Sequence, residues 1–259
     1  MKQTSWQPVS GWYDASLGKS GDFTHREIVI PKTLKLLGLD RASSLLDLGC
    51  GQGILARAIN PDIPYTGIDI AQSLVGSAVK RDTNKKHRYF TADITKPLPL
   101  GASLYSHIAC ILTLDNIESP EAVIKNAYDH IIEHGIFFIV INHPCFRIPR
   151  QSSWGIDEQN KLQYRRINRY LSPISIPITM HPGTGGASPV TWTYHFPISS
   201  YSHWLHTYHF SILEIEEWIS PKTSVGSSAS MENRSRAEFP MFLAIKAIRM
   251  DCVGSHGSK

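Results

Sequence analysis

Three aspartates and a glycine-rich run are the residues whose types and spacing promise chemistry. The run is Asp47-Leu48-Gly49-Cys50-Gly51-Gln52-Gly53, set where an apolar stretch over residues 44–48 gives way to a helical pattern. Glycines at such a turn let the backbone approach a ligand and take positive φ. Asp69 stands 20 residues past Gly49, at the end of a second strand-like stretch. That is the place for a carboxylate that accepts hydrogen bonds from ribose hydroxyls. Asp93 closes a third stretch, Phe90-Thr91-Ala92-Asp93. The carboxyl ends of parallel strands form a ligand crevice, so the three carboxylates share one rim. Two ligands are compatible with the loop. Gly51-Gln52-Gly53-Ile54-Leu55-Ala56 satisfies the dinucleotide pattern G-x-G-x-x-A, which would make a nicotinamide-dependent oxidoreductase. Against this, Asp47 would face the pyrophosphate, and like charges repel strongly in a low-dielectric cleft. A rim of carboxylates suits a ligand that lacks phosphate and carries an ammonium and a sulfonium.

Strands and helices must alternate to build that rim. Residues 24–38 predict a helix bent at Pro31 and stopped by Gly38; residues 1–20 predict an irregular arm. Strands are expected at 44–48, 65–70, 87–92, 106–112 and 135–141, and helices at 53–60, 71–80 and 120–133, the last with Ser119 as N-cap. After Asn142 the rhythm breaks. Residues 143–197 hold seven prolines and the aromatics Trp154, Tyr164, Tyr170, Trp192 and Tyr194, which need something to pack on. A helix at 198–208, a strand at 210–218, a Ser-rich loop at 223–236 and a strand at 239–248 follow. Strands apolar on both faces, alternating with helices, give an α/β doubly wound, mostly parallel sheet.

With these elements in place the sequence resembles the class I S-adenosylmethionine-dependent methyltransferases. The resemblance is ordered over residues 24–142 and looser over 198–248. It implies a Rossmann-like, seven-stranded sheet with the last strand antiparallel and an insertion after the fifth strand. It implies S-adenosyl-L-methionine as cofactor, with Asp47, Gly49, Cys50, Gly51 and Gly53 at its methionine end. Asp69 matches the ribose acid and Ile70 the residue that packs on the adenine. Ala92, Asp93 and Ile94 match the adenine-edge motif. Residues 112–116, with Leu112 and Asn116 at their ends, match the segment between sulfonium and substrate. The implied organisation is an arm over 1–23, a methyltransferase domain over 24–249 containing the inserted segment 143–197, and a flexible tail over 250–259.

Apart from a cap over the cofactor site by Tyr13 and His25, which the resemblance implies, the acceptor side is read from the residues alone. His143 follows the fifth strand on the same rim and could serve as general base; the competing reading is a histidine held in a Pro turn. Arg147 and Arg150 could hold an acidic substrate, or be solvated. Tyr13 and His25 in the arm could cap the site, and Trp154 could close a lid over it. His143 and Cys145 are two ligands without a third, and His203, His206 and His209 cannot converge from one helix, so no metal site is expected. The acceptor is expected to be a small molecule, enclosed by the aromatic insertion. An RNA acceptor is the alternative, supported only by charge, since no basic-aromatic RNA motif is present. A non-catalytic cofactor-binding subunit is a third class.

The chain has 259 residues, 42% hydrophobic and 19% charged, with net charge +4. That composition buries a core and excludes bulk disorder. No apolar run approaches the roughly 20 residues of a membrane span, and residues 1–14 carry no signal-peptide pattern. Four scattered cysteines fit a reducing compartment, so a cytoplasmic enzyme is the expectation.

Overall fold

The computed structural model describes residues 6–18, 21–179 and 190–251. Five parallel strands are β1 (Leu45–Leu48), β2 (Tyr65–Asp69), β3 (His87–Thr91), β4 (Tyr105–Ile111) and β5 (Ile131–Asn142). Two hairpins follow: β6 (Ser152–Asp157) with β7 (Leu162–Ile167), and β8 (Ile174–Thr179) with β9 (Val190–His195). Then β10 (Phe210–Trp218) and β11 (Phe242–Arg249) complete a seven-stranded sheet ordered β10-β11-β5-β4-β1-β2-β3. β11 runs antiparallel to both its neighbours. The expected sheet is therefore the one found. Chain order reverses between β1 and β4, so the loops after these two strands flank the switch-point crevice.

Helices cover both faces. One core cluster joins Leu46, Leu48, Ile68 and Ile139 to α4 (Pro120–His130) and α5 (Ile198–Thr207). The opposite cluster joins Leu45, Phe138 and Trp218 to α2 (Ile30–Leu37) and the π-helical turn His25–Val29 before it. Alternate residues of one strand thus serve different faces, which is why these strands are apolar throughout. Among the described residues no helix is long and apolar enough to cross a membrane.

Several local expectations are corrected. The arm is helical, with α1 at Ser10–Leu17, because Asp14 pairs with Arg81 of α3 (Gln72–Arg81) at 2.8 Å and Trp6 stacks on Tyr13. Residues 53–60 are consecutive turns rather than a helix: Arg57 bonds back to Gly53, but Ala58 and Ile59 both bond to Leu55, so the i→i+4 ladder is broken. Ser119 makes no side-chain cap. Helix α4 stops at His130, and Ile131 and Ile132 join β5, with Ile131 buried beside Tyr105. The Ser-rich stretch contains α6 (Ala229–Glu238), which has no apolar stripe and is held by polar bonds instead. Ser235 Oγ donates to the Gln163 carbonyl of β7, and Arg236 bonds Ser224 and Glu232. The tail expected over 250–259 lies outside the described residues beyond Asp251.

Candidate active site

A cleft of about 330 Å³ opens at the switch point, and the glycine loop forms its floor. Gly49 and Cys50 donate their backbone N–H groups to the Ile68 carbonyl at 2.8 and 3.0 Å, which turns the chain sharply off β1. Gly49 sits at φ +86, and a Cβ there would lie 2.2 Å from Thr113 Cγ2. Only glycine lets this loop touch the segment after β4. Gly51, at φ +52, has open space where a side chain would stand. Gly53 differs from expectation. It does not line the cleft; a Cβ there would press on the Tyr89 hydroxyl and Ala78, so it serves close packing between strand and helix.

The carboxylates reach the rim unequally. Asp69 ends β2; its Oδ2 accepts the Gly51 N–H at 2.9 Å and its Oδ1 accepts the Ala71 N–H at 2.8 Å. Burial pushes its carboxyl up, and these backbone donors pull against that. Each oxygen keeps a lone pair for a further donor in the cleft. Asp47 lies deeper, bonded to the Tyr65 hydroxyl, and burial pushes it up to about 7. Asp93 also lines the cleft, with Oδ1 accepting the Thr95 N–H and hydroxyl in a tight turn. Beside it Ile94 lines the wall, whereas Ala92 packs into the core and stays out of the cleft. Ile70 and Leu74 form the wall opposite.

Helix α1 forms part of the lining on another side. Tyr13, Trp6 and His25 all line the cleft. The Tyr13 hydroxyl is raised to about 12, by burial first and then by Asp69 and Asp22. His25 Nδ1 stands 2.8 Å from Asp22. The Asp14–Arg81 pair and the Ser73 N–H on Gln7 fasten this arm to α3. Asp14 and Trp6 were invisible to motif reasoning; their partners lie more than 60 residues away or in an aromatic pair without a period.

After β4, Leu112 takes φ +52 and donates its N–H to the Val140 carbonyl. The 3-10 turn Leu114–Asn116 follows, and Asn116 Nδ2 donates to the Leu112 carbonyl at 3.3 Å. Leu112 and Asn116 line the cleft, while Asp115 turns to the other side. Gln52, which no motif singled out, lines the cleft with its amide buried and unpartnered among the described residues.

The proposed acceptor residues do not gather here. His143 is buried, with Nε2 2.7 Å from Glu217 and Nδ1 accepting the Cys145 and Phe146 N–H groups. That is the held turn, and it lies outside the cleft lining. Trp154 packs on Phe239 and under Arg165, and Arg150 is an exposed turn residue at φ +61. Hairpin β6–β7 bonds to α6 and contributes nothing to the cleft lining. Arg147 lines a separate cavity.

Residues 23–215 match the family model described as a methyltransferase domain. The chain belongs to that family. The resemblance to class I methyltransferases is thus borne out, in fold and in enzyme class. Among curated proteins none matches this methyltransferase. Solved structures do. A protein from Listeria monocytogenes assigned as an S-adenosylmethionine-dependent methyltransferase is 25% identical at TM-score 0.65, over 86% of this chain and 97% of that one. An S-adenosylmethionine-dependent methyltransferase from Mesorhizobium loti is 20% identical at TM-score 0.66, over 86% and 99%. The glycopeptide N-methyltransferase MtfA, complexed with S-adenosyl-L-homocysteine, is 12% identical at TM-score 0.58, over 95% and 100%.

Proposed function

We propose that this methyltransferase carries a methyl group from S-adenosyl-L-methionine to a small-molecule acceptor. The observation that carries the reading is the convergence of Gly51, Asp69 and Asn116 on one cleft. The residues present fit the cofactor. The open space over Gly51 admits an amino-acid end beside the loop. Asp69 has acceptor capacity left for two ribose hydroxyls, and Ile70, Asp93 and Ile94 offer an apolar slot with one polar edge for a purine. Asp47, Gly49 and Cys50 would floor the methionine end. The cofactor supplies an activated methyl on a positively charged sulfur. What remains for the chain is to align, enclose and desolvate. Leu112 and Asn116 flank the reacting region, and Tyr13, Trp6 and His25 supply cover from the arm.

A small acceptor is favoured by that cover and by the cleft's charge. Lys96 is its one lysine or arginine among the described residues, a poor match for a phosphate backbone. An RNA acceptor would need basic surface that the lining lacks. The nicotinamide reading is disfavoured because Asp69 already occupies the Gly51 N–H that a pyrophosphate would need. Calorimetry with S-adenosyl-L-methionine, S-adenosyl-L-homocysteine and NAD tests the cofactor. Formation of S-adenosyl-L-homocysteine with fractionated metabolites tests turnover; a chain that binds NAD and ignores both sulfur compounds would overturn the assignment.

A further inference from the structure

A second cavity, of about 130 Å³, opens between the end of β5 and hairpin β8–β9. Its walls carry both signs of charge. Asp115 stands on one side, with Oδ2 accepting the backbone N–H and side-chain amide of Asn142 at 2.9 and 3.0 Å. Its Oδ1 has no hydrogen-bond partner among the described residues. Arg147 stands on another side, with its guanidinium against the Phe242 ring. Among the described residues that guanidinium makes no hydrogen bond and no ion pair, although Asp115 is near enough to act on it electrostatically. Opposite charges thus face one space without closing on each other. A direct Arg–carboxylate pair is normally the favoured arrangement, so the gap suits a ligand that completes both halves.

Tyr194 also lines this cavity. It is 3% exposed, and its hydroxyl is buried without a partner among the described residues. That hydroxyl is sealed from the cavity and lies in the field of Glu118, a cleft residue, so Tyr194 walls the cavity rather than bonding into it. Arg165 of β7 lies close enough to Arg147 to add positive potential, while its Nε–H goes to the Phe146 carbonyl and one N–H of its Nη2 to the Ser152 hydroxyl. His195 Nε2 donates to the Tyr170 carbonyl, and burial outweighs that bond and lowers its pKa below 6.5, which disfavours a competing cation there.

We propose that this cavity binds the head of an α-amino acid, its carboxylate on Arg147 and its ammonium on Asp115. One helical turn separates the two sites, with Asn116 facing the cleft and Asp115 facing the cavity. That the bound amino acid is the methyl acceptor rests on the function proposed above; the binding itself does not.

The test uses the full chain and three probes: L-alanine, acetate and methylamine. L-Alanine is expected to shift the amide resonances of β9, with acetate and methylamine each at least about tenfold weaker. Arg147 is exposed and its guanidinium bonds nothing among the described residues, so Arg147→Gln keeps the fold. It should weaken L-alanine at least about fivefold, with S-adenosyl-L-methionine affinity kept within about twofold. Acetate binding as tightly as L-alanine would make this a simple anion site and overturn the proposal. So would a chain that binds S-adenosyl-L-methionine and ignores L-alanine. L-Alanine binding without cofactor binding would leave this site standing and remove the proposed methyl transfer.

Discussion

The Tyr65 hydroxyl donates to Asp47 Oδ2 at 2.7 Å across the β1–β2 pair, with both side chains closed off from solvent beneath the glycine loop. Burial outweighs that bond, and the Asp47 carboxyl is raised from 3.8 to about 7. The folded state therefore holds a proton that the unfolded chain has lost between about pH 4 and pH 7. A raised carboxyl contributes stability at low pH that drains away as pH rises through its folded value. Asp47→Asn should be more stable than the parent at pH 8, by about 1–3 kcal/mol, with the difference vanishing near pH 4. Thermal melts of both proteins across that range check it. Equal stability at every pH would remove Asp47 as a buried charge.

Asp69 carries two backbone donors and still has acceptor capacity facing the cleft. Asp69→Ala should weaken S-adenosyl-L-methionine by about 1.5–3 kcal/mol, read by calorimetry. Asp69→Asn should lose less, because its amide oxygen can keep one of the backbone bonds. Unchanged affinity in the alanine variant would take Asp69 out of the ribose role.

Gly49→Ala meets Thr113 at 2.2 Å and a positive φ together. A loss of about 2 kcal/mol or more in stability is expected, with cofactor binding abolished. Adding Thr113→Gly clears the collision but not the φ, so recovery should be partial. Full recovery would show that the backbone conformation there costs nothing.

His143 is held between Glu217 and two backbone N–H groups. Burial lowers its pKa below 6.5, against the pull of Glu217. A depressed imidazole contributes stability that is present above its unfolded value and lost as pH falls through its folded one. His143→Asn should flatten the acid limb of the stability curve and leave turnover within about threefold. Removing a true base would cost about a hundredfold or more. A loss of that size in a folded variant would return His143 to catalysis.

The sheet and the glycine loop were legible because both rest on short-range pattern: apolar runs of strand length, glycines at a turn, aspartates at strand ends. Tyr13, His25, Leu112 and Asn116 all line the cleft. What stayed hidden depends on distant partners. Nothing near Asp14 announces Arg81, and α6 has no apolar period, only polar bonds to a hairpin far back in the chain. The insertion misled for a related reason. Trp154 leans on Phe239 and Arg165, outside the cleft lining, yet stays 43% exposed, and Tyr164 is 48% exposed. Aromatic content does not tell whether a ring will be covered, nor by which element.

The place of β11 has a consequence for how the chain acquires its fold. Its residues pair with β5 on one side and β10 on the other, joining Phe242 to Asn142 across a hundred residues of chain. Until it arrives, the apolar edge of β5 over residues 136–141 has no neighbour there, and β10 has no route to the sheet. Such a late, non-local closure makes the search slow and leaves a sticky intermediate. Chaperone dependence and inclusion bodies should therefore track the last strand rather than the cofactor loop.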